Sequence, residues 1–556
     1  MKKIKLLLVA IILLTGCTNT KVENENQNLA QNLEVSEQTQ IDSPSDILKN
    51  LQNTNESLQE TKEARIDIKK ESLENSIKSI DEVDSTKKET ILNDIKEKKN
   101  EKQISKSKKN IVEEKTQKAI DKFVNLETLK YSNIGISIVD LKTGEIIGSY
   151  HKEAAMNPAS VFKVITSATA LEVLGANTRL ETKLLYDGKI DNEGILKGDI
   201  YIIGGGDPTL GSDGVKVKQT AFMEDWLSKI EAAQIKKIDG DIIVIDNLFG
   251  YVGVEEKWLW EDFGTSYGQG TYGVSIFDNL YTLYLKSDDK NVKIVGTKPE
   301  IEGLKFENRL KVSEKGRKSF SVRGLAFENK RILNGEVPAN QEKIVTKSDI
   351  PNPGLFLGQY FKNSLKTVGI AVNGEVKTSR NTNKRPKNPN TLAITKSATI
   401  EEMVRVLLKR SDNHYTEHLY QLIKLKDVDI EEFWKAKGVD TKALVMNDGS
   451  GLSRGDYVSA DILTNILVYM NKNYSGFFNK LLPRGGYEGT VSDFLEPSVF
   501  SGDVRVKSGS MSGIQSYTGY VEKDGRELAF TIIVNHWNGS RNKLKDNMET
   551  LINDLF

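Results

Sequence analysis

The feature that most constrains the fold of this chain is the uneven distribution of its glycines. Of the 43 glycines, all but Gly16 lie at or after residue 135. The glycine-free segment between them is dominated by Lys, Glu, Asn, Ser and Gln, and such a composition buries too little apolar surface to offset the entropy of ordering. We therefore predict that residues 18–109 form a charged, largely disordered or helical stalk. A partner-binding coil is the alternative, although the isolated apolar residues form no sustained heptad.

Residues 1–17 have the three parts of an export signal. Three lysines lie in the first five residues, and the apolar run Leu6–Leu14 that follows is too short for an ordinary membrane span. The stretch Leu14-Thr15-Gly16-Cys17 resembles a bacterial lipobox, which implies cleavage before Cys17 and lipidation of its thiol. An ordinary signal peptide with a chance cysteine is the alternative. Lipidation would anchor the exported chain to a membrane, facing the cell wall or periplasm.

The overall charge gives no support for a nucleic-acid partner, and the cysteine count excludes two kinds of cysteine site. The 78 basic and 78 acidic residues balance to a formal net charge of zero, so nothing in the charge argues for a nucleic-acid partner. Cys17 is the single cysteine. An internal disulfide and a cysteine-rich metal site are therefore both excluded.

A serine and a lysine stand three residues apart at a predicted helix start. Asn157 suits an N-cap and Pro158 the first helical position, which places Ser160 in the first turn. The backbone N–H of Ser160 would then have no intrahelical partner and could bind an oxyanion. Residues three apart share a helix face, so Lys163 can reach the Ser160 hydroxyl.

The predicted secondary structure changes twice along the rest of the chain. Predicted strands at Gly135–Val139 and Glu145–Tyr150 form a hairpin before the Ser160 helix, and residues 182–390 consist of short β-rich stretches between Gly and Asp turns. Mixed helices and strands return in the last third. We predict an α/β (α+β) catalytic domain formed by residues 110–181 and 391–556, interrupted by a β-rich insertion at 182–390.

Two further motifs follow the Ser160 motif in order. They are Ser411-Asp412-Asn413 and Lys507-Ser508-Gly509, and the second ends a predicted strand at a glycine turn. Each motif alone is weak, but all three in this order in an exported protein form a specific signal. The set resembles that of the penicillin-recognising serine acyltransferases, which comprise D-Ala-D-Ala peptidases and serine β-lactamases.

Within that group the chain resembles the D-alanyl-D-alanine carboxypeptidase/endopeptidases, the class C low-molecular-mass penicillin-binding proteins, from about residue 111 to the C-terminus. The stretches that carry the resemblance are Asn157–Ser160, Leu196–Tyr201, Gly205–Leu210, Trp258–Trp260, Asp448–Arg454 and Gly489-Thr490. The resemblance implies a β-lactamase/transpeptidase-like domain with an antiparallel sheet flanked by helices. One departure is Ser508, where threonine is usual; serine keeps the hydroxyl, so we expect little loss.

The chemistry of the first motif supports a nucleophile and its base. A serine hydroxyl needs a base to become nucleophilic, and Lys163 can act as that base only when it is neutral. Lowering a lysine pKa from about 10.4 to about 7 costs roughly 4.6 kcal/mol. Burial and a second cation can supply a shift of this size, and Lys507 is the candidate cation.

The resemblance also implies the roles of the second and third motifs. Ser411 relays a proton toward the leaving amine, and Asn413 binds the substrate amide. On the side of the cleft opposite Ser411 and Asn413, the third motif holds the terminal carboxylate of the substrate. The backbone N–H of Ser510 supplies a second oxyanion donor. The residues of this side are Lys507, Ser508, Gly509 and Ser510.

We therefore expect a D-Ala-D-Ala carboxypeptidase/endopeptidase that cleaves peptidoglycan stem peptides through a serine acyl-enzyme. β-Lactams should acylate it as covalent inhibitors, and the reaction needs no cofactor and no metal. A serine β-lactamase would use the same residues with fast deacylation. A non-catalytic envelope lipoprotein that binds peptidoglycan is the alternative of another class.

Two other patterns admit a second interpretation. His414-Tyr415-Thr416-Glu417-His418 fits the H-x-x-E-H pattern of inverted zinc peptidases, but it overlaps the Ser411 motif, so helix packing is the favoured interpretation. The five tryptophans could form a sugar platform, although core positions are the more common use. They are Trp226, Trp258, Trp260, Trp434 and Trp537.

Overall fold

The structure is a computed structural model that describes residues 110–556. The predicted export signal, Cys17 and the stalk lie outside the described residues. Within the described range, no helix is both long and apolar enough to cross a bilayer.

The α-helices of the described chain are α1 (110–124), α2 (Lys163–Ala170), α3 (Ala221–Ala232), α4 (Pro353–Thr367), α5 (Ile400–Arg410), α6 (Asn413–Lys424), α7 (Ile430–Ala436), α8 (Ala460–Tyr474) and α9 (Arg541–Asp554). The 3₁₀ segments are Glu127–Leu129, Ala159–Phe162, Phe277–Asn279, Asn479–Leu481 and Gly489–Val491, and a π-turn spans Leu171–Gly175.

The strands of the described chain are β1 (Asn133–Asp140), β2 (Glu145–Tyr150), β3 (Arg179–Tyr186), β4 (Lys189–Ile190), β5 (Ile195–Lys197), β6 (Ile200–Ile203), β7 (Lys237–Ile238), β8 (Ile242–Ile245), β9 (Leu280–Ser287), β10 (Val292–Lys298), β11 (Lys305–Ser313), β12 (Ser319–Arg323), β13 (Lys330–Pro338), β14 (Gln341–Asp349), β15 (Ala371–Val372), β16 (Val376–Thr378), β17 (Asn390–Thr399), β18 (Asp503–Met511), β19 (Ile514–Lys523) and β20 (Arg526–Asn535).

The catalytic part is built on one antiparallel sheet in the order β18-β19-β20-β1-β2. Eight consecutive residues of β20 are buried, so both faces of this sheet need cover. Helices α1 and α9 pack with the sheet in one apolar core, and α2, α5, α6 and α8 form a second core against its other face. The predicted hairpin of β1 and β2 is confirmed.

The insertion comprises four sheets and the helices α3 and α4. The strand orders are β16-β8-β6-β3-β17, β15-β7-β5-β4, β10-β9-β14 and β11-β13-β12. Its first and last strands, β3 and β17, pair with each other. The boundaries predicted at 182 and 390 therefore need correction, because they cut through strands that extend the insertion to 179–399. The sequence texture missed α3 and α4, whose apolar faces lie in the insertion core.

A long loop, residues 246–276, leaves the insertion after β8 and returns before β9 with little regular structure. It packs on the catalytic part, where Gln421 of α6 donates to Glu255 at 2.7 Å and the Ser275 hydroxyl lies 2.9 Å from His418 Nε2. The insertion therefore contacts the same helices that carry the predicted site motifs.

Candidate active site

Ser160 lies in the first helical turn after a segment without regular secondary structure. The helical segment begins at Ala159 with a 3₁₀ turn and continues into α2. Ala159 adopts a left-handed φ of 50°, a conformation that costs a non-glycine residue about 1–2 kcal/mol and that clusters at functional sites. Ser160 is in the first turn, as predicted. The N-cap prediction is wrong by one residue, because Pro158 holds that position while Asn157 accepts from the Ala159 N–H at 3.3 Å.

The side chain of Lys163 is aimed at Ser160. Its Nζ donates to Ser160 Oγ at 3.0 Å and to the Ser450 carbonyl at 2.8 Å. Lys163 is fully buried. Burial lowers the pKa of Lys163 to about 8, against the opposing effect of nearby carboxylates led by Asp448. A substantial fraction of Lys163 is therefore neutral near pH 8, as a base for Ser160 requires.

The Ser411 motif forms the corner between two helices. Thr399 and Glu402 cap the start of α5 reciprocally, and Ser411 ends α5 in a left-handed conformation with φ 56°. Asp412 then caps α6 by accepting from the Tyr415 N–H at 2.9 Å. This corner leaves the Ser411 hydroxyl beside Lys507, whose Nζ donates to it at 2.9 Å.

Lys507 is the second fully buried lysine of the site. Besides Ser411, its Nζ donates to the Ser508 carbonyl at 2.5 Å. Burial and, secondarily, the charge of Lys163 hold the pKa of Lys507 well below its usual value. The sequence-based account thus needs a correction, because burial dominates the shift at Lys163 and the effect of a neighbouring cation is seen at Lys507.

Strand β18 forms the wall opposite Ser411. Contrary to the predicted glycine turn, the strand runs through Gly509 to Met511. Gly509 allows close approach to the nucleophile segment: a Cβ at this position would lie 2.7 Å from the Pro158 carbonyl oxygen and 2.9 Å from the Val161 nitrogen. Ser516 of β19 reinforces the junction by donating to that Pro158 carbonyl at 2.6 Å.

The backbone pattern of β18 fixes where Ser510 points. Val506 N–H donates to Pro483 O and Val504 O accepts from Gly485 N–H, each at 3.0 Å, so these groups face away from β19. Backbone groups alternate along an antiparallel strand, so the N–H of Ser508 and Ser510 also face this open edge. The Ser508 hydroxyl lies 2.8 Å from the Thr490 hydroxyl.

Asn413, the first residue of α6, is held by the insertion. Its Nδ2 donates to the Tyr267 carbonyl of the long loop at 2.8 Å. This bond fixes the amide with its oxygen left for another partner. The structure joins Ser160 to Lys163 and Ser411 to Lys507 by hydrogen bonds, and it packs Gly509 against the segment that carries Ser160. The remaining predicted residues, Asn413, Ser508 and Ser510, lie within two or three residues of these in the chain.

Comparison with known proteins gives this geometry a family. The sequence profile of the D-Ala-D-Ala carboxypeptidase 3 (S13) family matches residues 116–555. This chain belongs to the S13 family. It is a serine-type D-Ala-D-Ala carboxypeptidase, a penicillin-binding hydrolase that acts on peptidoglycan and faces the cell wall or periplasm.

Individual relatives are distant but cover most of the chain. The chain is 26% identical over 450 residues to a D-alanyl-D-alanine carboxypeptidase of Actinomadura sp. (strain R39), spanning 76% of this chain and 81% of the relative. It is 23% identical to D-alanyl-D-alanine carboxypeptidase DacB of Haemophilus influenzae over 73% of this chain and 85% of DacB.

A solved structure confirms the predicted fold class. The crystal structure of penicillin-binding protein 4 (dacB) from Haemophilus influenzae superposes with a TM-score of 0.68 at 22% identity, covering 78% of this chain and 99% of that one. The S13 fold of this chain therefore includes the insertion as well as the catalytic part.

The H-x-x-E-H stretch packs inside this S13 fold. His418 Nδ1 lies 2.7 Å from the His414 carbonyl and its Nε2 contacts Ser275, while Glu417 accepts from the Gly449 N–H at 3.0 Å. Residues 110–556 contain no group of three His, Cys, Asp or Glu side chains arranged to hold a metal ion. These side chains join α6 to the long loop and to the segment behind Lys163.

The tryptophans divide between core and surface. Trp226, Trp258 and Trp434 are buried, Trp537 packs partly buried against the sheet core, and Trp260 is 53% exposed. Core positions therefore account for most of them. No single flat aromatic platform is formed by this set.

Sequence reasoning missed three groups that contact the candidate site residues. The carbonyls of Ser450 and Tyr267 hold Lys163 and Asn413, and the Thr490 hydroxyl contacts Ser508. Two of these residues lie in stretches that carried the family resemblance, Asp448–Arg454 and Gly489-Thr490. Their roles depend on backbone atoms or on contacts between distant segments, which residue identity does not reveal.

Proposed function

We propose that the chain hydrolyses D-Ala-D-Ala-type peptide bonds of stem peptides through an acyl-enzyme on Ser160. Neutral Lys163 takes the hydroxyl proton as Ser160 Oγ bonds to the scissile carbonyl carbon. The C–N bond then breaks, and Ser411, which is hydrogen-bonded to Lys507, relays to the leaving amine the proton that Lys163 took from Ser160, so Lys163 is neutral again. Water attacks the ester in the second half-reaction, releases the shortened peptide and restores the Ser160 hydroxyl.

The proposed oxyanion site is formed by the backbone N–H groups of Ser160 and Ser510. Removing one such donor typically costs about 3 kcal/mol of transition-state stabilisation. Asn413 orients the substrate amide. The wall of Lys507, Ser508 and Gly509 receives the terminal carboxylate of the substrate.

The observation that carries the proposal is the 3.0 Å bond from a buried lysine to the serine at a strained helix start. Within the described residues Lys163 makes no ion pair, and its second hydrogen bond goes to the neutral Ser450 carbonyl, so no carboxylate in direct contact keeps the amine protonated. The same geometry serves β-lactams, which offer a strained amide in place of the peptide; penicillin-binding protein 4 of Haemophilus influenzae has been solved with one bound.

We also propose the arrangement of the chain around this site. Residues 1–17 act as a lipoprotein signal, lipid on Cys17 anchors the mature chain, and residues 18–109 form a stalk that holds the S13 part away from the membrane. Cys17→Ser should move the protein from the membrane fraction to the soluble exported fraction and abolish incorporation of labelled fatty acid. Unchanged lipid incorporation would contradict the anchor.

A fluorescent penicillin tests the nucleophile. The full-length chain should label covalently, Ser160→Ala should not label, and Ser228→Ala should label like the parent because Ser228 is exposed on α3, in the insertion. Labelling that survives Ser160→Ala would overturn the assignment.

Product analysis separates the remaining activities. Incubation with defined muropeptides followed by mass spectrometry should show loss of a terminal D-Ala, cleavage of cross-links, or both. Rapid, repeated turnover of penicillin with intact muropeptides would identify a β-lactamase instead.

A further inference from the structure

The segment 448–454, here called the Asp448 loop, is organised around one buried carboxylate. Asp448 Oδ1 accepts from the N–H groups of Ser450 and Gly451 at 3.0 and 2.6 Å, and Oδ2 accepts from Ser453 N–H at 2.7 Å. Asp448 is fully buried. Three backbone donors on one carboxylate fix the path of the loop, so the position of each loop carbonyl depends on Asp448.

The Asp448 loop packs directly against the helix that carries Ser160 and Lys163. The Ser450 carbonyl binds Lys163 Nζ at 2.8 Å, and the Gly449 carbonyl accepts from Thr166 Oγ1, one turn further along the helix, at 2.6 Å. Gly451 has a φ of 76°, and a Cβ there would overlap the Ala159 carbonyl. A displacement of this loop would therefore move Lys163 relative to Ser160.

The fourth donor to Asp448 comes from the insertion. Trp258 of the long loop is 5% exposed and donates its Nε1–H to Asp448 Oδ2 at 2.8 Å. A buried carboxylate that loses one charge-assisted partner shifts or takes up water, because the remaining donors satisfy only part of its capacity.

We propose that Trp258 is a positioning residue for acylation: by holding Asp448, it fixes the Ser450 carbonyl and hence the base Lys163. The inference rests on the proposed roles of Ser160 and Lys163. It makes the insertion part of the chemical step, because a side chain nearly one hundred residues after Lys163 in sequence sets the geometry of that lysine.

The charged groups that face Lys163 make the pH profile an informative readout. They are Asp448, Glu417, Asp412 and Asp456, which favour protonated Lys163 when they are ionised, and Lys507, whose pKa is lowered by burial and, secondarily, by the charge of Lys163. Burial raises the pKa of Glu417, Asp412 and Asp456, so Asp448 has the largest effect of the four. The Ser450 carbonyl also favours the protonated amine. If Asp448 and the Ser450 carbonyl move away from Lys163, they stabilise the protonated amine less. The pKa of Lys163 should then fall, and acylation should begin to rise at a lower pH.

The test compares two tryptophan-to-phenylalanine variants of the full-length chain. Trp258→Phe removes the donor to Asp448, whereas Trp226→Phe removes an indole bond of the same length, 2.8 Å to Thr395, in the insertion core. The second-order rate of acylation by fluorescent penicillin is measured across pH, together with kcat and KM on a D-Ala-D-Ala peptide and thermal unfolding.

We expect Trp258→Phe to acylate roughly tenfold more slowly or worse, with the fall in kcat rather than KM and a pH profile moved to lower pH. Trp226→Phe should keep the parental profile even where it unfolds at lower temperature. Trp258→His, which keeps a ring N–H, should retain more of the rate than Trp258→Phe.

Equal acylation by Trp258→Phe and the parent, or equal losses in both phenylalanine variants, would overturn the inference. Failure of both Trp258 variants to fold while Trp226→Phe folds would also overturn it, because Trp258 would then act on the fold as a whole. These outcomes are independent of the nucleophile test, since every variant retains Ser160 and Lys163.

Discussion

The insertion and the catalytic part both bury basic side chains, but only the insertion pairs its buried cation with a carboxylate. In the insertion, the buried guanidinium of Arg331 lies 2.8 Å from the Asp349 carboxylate and also donates to four backbone carbonyls, those of Leu325, Glu328, Lys330 and Asp349. In the catalytic part, Lys163 and Lys507 bind hydroxyl and carbonyl oxygens, and neither makes an ion pair within the described residues.

The difference separates a structural charge from a chemical one. An arginine stays charged in proteins, so burying it requires a partner carboxylate. A lysine can lose its proton, and burial without a counter-ion favours that loss. The catalytic part therefore gains a base where the insertion gains a rigid junction between β13 and β14.

The largest effect that this comparison predicts is on acylation. Lys163→Met should lower the rate of penicillin acylation by about 10³-fold, because it removes the general base. Thermal unfolding should change little or shift upward, since an apolar side chain replaces a buried amine that has no ion-pair partner. Parental acylation by this variant would break the distinction between the two regions.

The matching substitution in the insertion should do the reverse. Arg331→Met leaves Asp349 buried without its partner and should lower the free energy of unfolding by roughly 3–5 kcal/mol. Chemical denaturation measures this, and acylation per folded molecule should stay at the parental level. Replacing both residues, as Arg331→Met with Asp349→Leu, should recover much of the loss; a double variant as unstable as the single one would argue against an uncompensated charge.

The pH dependence of acylation should follow Lys163. Its pKa of about 8 means that the neutral fraction falls about tenfold for each pH unit below that value and saturates above it. Acylation rates measured from pH 6 to 9.5 should therefore rise with pH and level off. Rates that decline across this range would show that a protonated group, rather than a neutral base, limits the step.

The smallest effect should come from an exposed ion pair. Glu432 and Lys435 lie 2.7 Å apart on the surface of α7, where water and side-chain entropy weaken the attraction. Lys435→Ala should change the free energy of unfolding by less than about 0.5 kcal/mol and leave acylation unaltered. A larger change in the free energy of unfolding would mean that exposed ion pairs stabilise this protein more than the contrast between buried and exposed charges implies.

The local parts of the site could be predicted because they depend on neighbours in sequence. The three-residue spacing of Ser160 and Lys163 puts them on one helix face, which the residue spacing alone predicts. The first helical turn at Ser160 and the β1–β2 hairpin were predicted for the same reason, whereas the fold class followed from the family resemblance. The errors at Pro158 and Gly509 concern element ends, where tertiary contacts choose the last residue.

The sequence by itself determined the reaction class, because few chains carry the motifs of Ser160, Ser411 and Lys507 together and in this order. The tertiary structure alone decided how those groups are tuned. Burial lowers the pKa of Lys163, the Ser450 carbonyl holds its amine, and Trp258 reaches in from the insertion. These contacts join segments far apart in the chain, and desolvation depends on everything packed around a group, so neither is encoded in any local pattern of residues.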